Sequence, residues 1–184
     1  MARIYVGGSG GSGKTAICKL IAERLNIPVL TGSEIMMRAA GLSSREDLAK
    51  LSEEEKQRLR DSAFEACYQS APELVIEGHF FLTGKDVRYL DAYILIETDE
   101  ERLVEFRKND SNRARSLDIE EIRKETLKME GRISNLETEH GIRVIRIKND
   151  GDLEDLAESV EVVYLSLGSR ETRAEMDHRG VERL

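Results

Sequence analysis

Tryptophan is absent from the 184 residues, cysteine and proline occur twice each, and aromatic side chains make up only 5%. With two cysteines, no CxxC and no neighbouring histidine, the chain encodes neither a disulfide framework nor a zinc site. Cys18 and Cys67, both in helix-period segments, read as small buried hydrophobes of a reducing compartment. No apolar run approaches the roughly 18 residues of a membrane span, and the first one is too short to be a secretory signal. The expectation is a cytoplasmic protein with no membrane partner. Cations are also in deficit, with 28 Lys and Arg against 36 Asp and Glu and a formal charge of -8. That balance argues against general nucleic-acid binding, which calls for a net basic surface, while leaving room for a local basic pocket. Repeats and low-complexity tracts are missing too.

What the chain does have is glycine in one place. Residues 7–15 read Gly-Gly-Ser-Gly-Gly-Ser-Gly-Lys-Thr, after the apolar run Ile4-Tyr5-Val6 and before a helix-period segment over residues 14–25. From Gly8 onward this is G-x-x-x-x-G-K-T, the Walker A pattern, at the strand-to-helix junction it requires. Gly8, Gly10, Gly11 and Gly13 let the backbone curl so that its N–H groups, with those of Ser9 and Ser12, point at a phosphate chain. Lys14 brings a mobile positive charge, Thr15 a hydroxyl for Mg²⁺, and the helix that starts there its positive dipole end. A flexible Gly/Ser linker needs none of the strand, the Lys-Thr pair or the helix. ATP and Mg²⁺ are therefore the expected ligands.

Five short apolar runs, at residues 4–6, 27–30, 74–76, 92–96 and 143–147, alternate with helix-period segments. This specifies an α/β fold of the P-loop NTPase kind, a five-stranded, mostly parallel sheet with helices on both faces. One domain over residues 1–168 accounts for the chain, followed by a charged tail over 169–184. Residues 33–70 form a helical excursion longer than an ordinary crossover, the natural place for a second substrate. Within it, Ser52 and Glu55 have capping-box spacing, and Leu59, Ala63, Ala66 and Cys67 give an apolar stripe.

In open α/β sheets ligands bind beyond the carboxyl ends of the strands. Thr31, Gly32 and Ser33 sit at that end of the second strand, and Glu77 and His79 at that end of the third. Glu77 reads as a carboxylate for the metal or its waters, or as a solvent-facing strand end. His79 reads as a contact to phosphate or acceptor, or as a structural hydrogen-bonding group. The loop over residues 109–118 carries Arg113 and Arg115, with Arg132 one helix later. Arginines that arrive on closure can neutralise a transferring phosphoryl group; the alternatives are a solvated loop and, for Arg132, a basic helix face. Arg38, Arg45, Arg58 and Arg60 lie in the helical excursion as candidate anion clamps.

With these motifs in place, residues 3–165 resemble the P-loop nucleoside monophosphate kinases, and among them the archaeal-type adenylate kinases. The resemblance is carried by the phosphate loop, Gly32-Ser33, the run from Arg45 to Leu51, Glu77-Gly78-His79, the run from Asn109 to Arg115, and Arg132. It implies a helical monophosphate-binding part over 33–70, with Gly32-Ser33 and Arg45 at the acceptor phosphate and Thr31 and His79 counted with them as acceptor-binding residues, and a short arginine lid over 109–118. It also implies Asn149 beside the donor base, small-molecule nucleotides as partners, and a homo-oligomer. The family commonly has Asp-x-His where this chain has Glu77-Gly78-His79, and residues 80–90 depart from its usual substrate-side loop. The implied reaction is ATP + AMP to 2 ADP. A kinase for CMP or another small acceptor, and an adenylate-kinase-like ATPase serving as an assembly factor or switch, are the competing readings.

Overall fold

A computed structural model describes residues 3–71, 73–78, 82–109, 116–149 and 153–167. The elements in chain order are β1 (Arg3–Gly8), α1 (Lys14–Leu25), β2 (Val29–Thr31), α2 (Gly32–Ala40), α3 (Arg45–Lys50), α4 (Glu53–Ser70), β3 (Leu74–Glu77), α5 (Gly84–Val87), β4 (Ala92–Glu97), α6 (Glu100–Asn109), α7 (Ile119–His140), β5 (Val144–Lys148) and α8 (Leu153–Leu167). The strands form one sheet in the order β2-β3-β1-β4-β5, and every pairing is parallel. The chain moves to one side of β1 for β2 and β3 and to the other for β4 and β5. This makes the end of β1, where the glycine loop begins, the topological switch point of the sheet.

Because strand side chains alternate between faces, β1 sends Tyr5 to one core and Ile4 and Val6 to the other. The first core is roofed by α2, α4 and α7 through Met36, Phe64, Tyr68 and Ile133. The second is covered by α1 and α8 through Ile17, Ile21, Leu156 and Val160. Tyr5 and Tyr93 lie in register on β1 and β4 and stack with ring centroids 5.5 Å apart. Burial pushes both phenols up from their ordinary pKa. Their hydroxyls occupy the space that side chains on Gly78 and Gly7 would need, so two glycines at the rim accommodate two buried tyrosines.

Local chemistry sets the helix ends. Ser52 and Glu55 form the expected capping box at the start of α4. Thr31 and Glu34 form a second one, so α2 begins at Gly32, two residues before the helical composition becomes evident. Along α4 the buried face is Ala63, Phe64 and Tyr68, whereas Ala66 of the anticipated stripe is exposed. Arg60, one of the candidate anion clamps, is buried and paired with Asp86 at 2.6 Å. Its charge is committed to the core. No helix among the described residues is long and apolar enough to cross a membrane.

Candidate active site

The parallel register aligns Thr31, Glu77 and Val6 near the carboxyl ends of β2, β3 and β1, and the phosphate loop rises from the last of these. Gly13 adopts a left-handed conformation, φ 84°, immediately before α1, which a residue with a side chain enters only at a cost. Gly8 has no room for a side chain, since a Cβ there would lie 2.6 Å from Ser12 Oγ and 2.8 Å from Ile96 O. No side chain caps the N-terminus of α1, and no acidic residue stands in its first turn. The helix therefore keeps its positive end for an anion.

Lys14 is only 4% exposed. Its Nζ donates to the carbonyls of Gly8 at 2.8 Å and Ser9 at 2.7 Å, which folds the ammonium over the loop. Thr15 Oγ1 donates to Glu77 Oε1 at 2.9 Å, so the hydroxyl and the carboxylate anticipated for the metal are adjacent. The described residues contain no cluster of three or more His, Cys, Asp or Glu able to hold a metal by themselves. A hard-oxygen pair nevertheless fits Mg²⁺, which keeps several waters and draws its other ligands from substrate phosphates.

Beside Glu77 opens a cavity of about 430 Å³ lined by Thr31, Gly32, Ser33, Arg45, Glu77 and Gly78, with Met36, Leu48, Ala49, Glu53 and Lys56 completing the wall. The four described residues assigned to the acceptor from sequence, Thr31, Gly32, Ser33 and Arg45, thus share one cavity. Arg58 is instead engaged with Glu54 on the exposed face of α4. His79, Arg113 and Arg115 lie outside the described residues, as do most of the loop over 109–118 and all of the tail over 169–184. Arg132 is exposed on α7.

Asn149, expected beside the donor base, packs against the phosphate loop. Its side-chain amide donates to Ser12 O at 2.9 Å and abuts Gly13, and its own N–H donates to Glu97 O at 2.8 Å. It braces the phosphate loop against β4. On the other flank Ser9 Oγ shares a hydrogen bond with Thr126 Oγ1 at 3.0 Å, and Gly10 N donates to Glu125 Oε1 at 3.4 Å. A second cavity, about 540 Å³, lies there between the end of β4 and α7, with Glu97, Asp99, Glu101, Glu130 and Lys148 among its lining. Sequence reasoning missed Arg107, Glu125, Thr126 and Lys56. The one readable signal was Arg107, a lone cation four residues after Leu103 on the buried face of α6.

A parallel sheet with a Walker A loop at its switch point, a bracing asparagine and a helical excursion bearing the Arg45 cavity define a P-loop domain with a kinase-like fold. The chain belongs to the AAA domain family, whose model matches residues 7–142. Among solved structures it is similar to shikimate kinase from Bacteroides thetaiotaomicron, at 16% identity over 91% of this chain and 99% of that one, with a TM-score of 0.63. Shikimate kinase from Aquifex aeolicus matches at 22% identity over 94% and 98%, TM-score 0.61. The enzyme from Acinetobacter baumannii, in complex with shikimate, matches at 21% identity over 91% and 95%, TM-score 0.64. At these identities the likeness establishes the fold. No curated protein sequence matches the chain.

Proposed function

We propose that the chain is an ATP- and Mg²⁺-dependent phosphotransferase for a small acceptor, with AMP the favoured acceptor and ADP the product. The observation that carries this reading is the position of Glu77. Its carboxylate is bonded to Thr15 at the foot of the phosphate loop and also lines the cavity that holds Arg45 and Ser33. Donor and acceptor sites therefore share a wall, as direct transfer requires. The loop N–H groups and Lys14 hold the donor phosphates, and Thr15 and Glu77 hold the metal, which when bound screens the phosphate charge. Arg45 and Ser33 orient the acceptor. Arg113 and Arg115 are assigned on their motif to the equatorial oxygens of the transferring group, and Arg132 on its resemblance to the same role. Positioning and charge neutralisation suffice for this chemistry, with no covalent nucleophile.

A second reading, a kinase for a small hydroxylated metabolite, draws support from the solved neighbours, one of which holds shikimate. Phosphoryl transfer from Mg·ATP assayed across AMP, CMP, deoxynucleoside monophosphates and shikimate separates the two. ADP formation that depends on AMP and vanishes in Lys14→Ala is the expected result. Turnover with shikimate alone would reject the favoured acceptor, and acceptor-independent hydrolysis stimulated by a protein or RNA would indicate an ATPase switch.

A further inference from the structure

The acceptor cavity has a second cation that no motif marks. Lys56 is in the first turns of α4, and its side chain is 26% exposed where that of Lys50 on α3 is 74% exposed. It lines the same cavity as Arg45, together with the apolar side chains of Met36, Leu48 and Ala49. Its Nζ is held by Glu53 Oε1 at 2.8 Å, and Glu53, which also borders the cavity, is 91% exposed. An ion pair with one partner so exposed is weak, so an anion with better geometry can take the ammonium from it. The Arg45 guanidinium makes no hydrogen bond or ion pair among the described residues, and the one carboxylate whose pKa it is seen to lower is Glu34 on α2.

We infer that Lys56 is a specificity-determining residue of this cavity, binding with Arg45 a phosphomonoester dianion on the acceptor, and that Glu53 is the counter-ion it leaves when the acceptor enters. The inference rests on the cavity being the acceptor site. Two cations on separate helices match a group that carries nearly two charges and three strong acceptor oxygens at neutral pH; a carboxylate offers one charge. The two cations also differ in kind. The Arg45 fork suits bidentate contact, and the Lys56 ammonium supplies a point charge on a flexible stem. Glu53 keeps Lys56 in place between turnovers and, as an acid in the first turn of α4, favours the helix as well.

The test combines titration calorimetry of AMP with steady-state kinetics, on wild type, Lys56→Gln, Lys56→Arg and Glu53→Gln, with melting curves to verify folding. Lys56→Gln should weaken AMP binding and raise KM for AMP by roughly tenfold or more, the loss expected of a charge-assisted hydrogen bond, with KM for ATP unchanged. Lys56→Arg should restore most of the affinity, and Glu53→Gln should tighten AMP binding because the ammonium then has no carboxylate to leave. Unchanged AMP affinity in Lys56→Gln, or weaker binding in Glu53→Gln, overturns the inference. AMP binding that depends on Lys56 without any phosphoryl transfer would reject the kinase reading and leave the Lys56 assignment standing. Transfer to shikimate by a wild type that binds no phosphomonoester would do the reverse.

Discussion

Arg107 on α6 donates from Nε to the carbonyl of Gly10 at 2.7 Å and from Nη2 to Glu125 on α7 at 2.8 Å. Its Nη1 reaches Ser116 O at 3.0 Å. One guanidinium, 5% exposed, therefore ties the tip of the phosphate loop to both helices that bracket the Arg113–Arg115 segment. Three acceptors in one planar fork suit arginine and not lysine. Replacing Arg107 by Met or by Lys should loosen ATP binding to similar extents and lower stability by about 1–3 kcal/mol, the cost of leaving the buried Gly10 carbonyl without its donor and breaking the partly buried bonds to Ser116 and Glu125. ATP titrations and melting curves of both variants check this, and a Lys variant that behaves as wild type would refute the fork argument.

The Thr15–Glu77 hydrogen bond makes a prediction about metal dependence. Glu77→Gln retains shape and a hydrogen-bonding oxygen but removes the charge, so apparent Mg²⁺ affinity should fall by about 10–100-fold, as when ligand-orienting partners of a metal site are altered. Activity measured against Mg²⁺ concentration at saturating ATP should show a right-shifted curve that recovers part of kcat at high metal. If the curve does not move, Glu77 is only a strand-terminal acid.

The strands, the phosphate loop and the Ser52 capping box were legible because each is written within a few consecutive residues. The start of α2 was harder. Thr31 and Glu34 have the spacing of a capping box, but Gly32 between them reads as loop until the threonine is seen accepting from the Glu34 N–H. Arg60 and Lys56 were illegible in a different sense, and for Arg107 only its place on the buried face of α6 could be read, not its partner. Each looks like one more cation on a charged helix; the partners of Arg60 and Arg107, Asp86 and Gly10, are distant in sequence, and Lys56 meets Arg45 only where two helices line one cavity. Periodicity tells which face of a helix turns inward. It does not tell which buried charge will meet its partner there.

Arg60 and Asp86 offer the sharpest test of stability. Asp86 accepts from Arg60 Nη2 at 2.6 Å and from Thr83 N at 2.7 Å and Oγ1 at 2.9 Å, while the guanidinium lies 5.2 Å from the centroid of the Phe64 ring. Asp86→Ala strands a buried cation whose other acidic partner among the described residues is Asp61, 46% exposed. The expected cost is about 3–5 kcal/mol, measurable by urea unfolding. A double variant, Arg60→Met with Asp86→Leu, should recover most of that loss, since it removes both charges together. Equal destabilisation in the single and double variants would show that packing, and not the stranded charge, sets the cost.

Acid sensitivity should trace in part to Glu34. Its carboxylate accepts from the Thr31 N–H at 2.7 Å, and that bond, with help from the Thr31 hydroxyl, Arg38 and Arg45 and against some burial, holds its pKa below the ordinary carboxylate value. A folded pKa below the unfolded one means that the unfolded chain binds more protons in the window between them. The stabilisation is therefore present in full above the unfolded value, near 4.5, and is lost as pH falls through the lower, folded value. Glu34→Gln should cost about 0.3–1 kcal/mol at pH 7, the scale of a carboxylate at a helix N-terminus. The gap between wild type and variant should then close with acidification through that window. Because Thr31 and Ser33 line the cavity proposed for the acceptor, AMP affinity in Glu34→Gln should fall together with stability at pH 7; a gap that stays constant down to pH 3 would show that the carboxylate's charge contributes nothing to the cap.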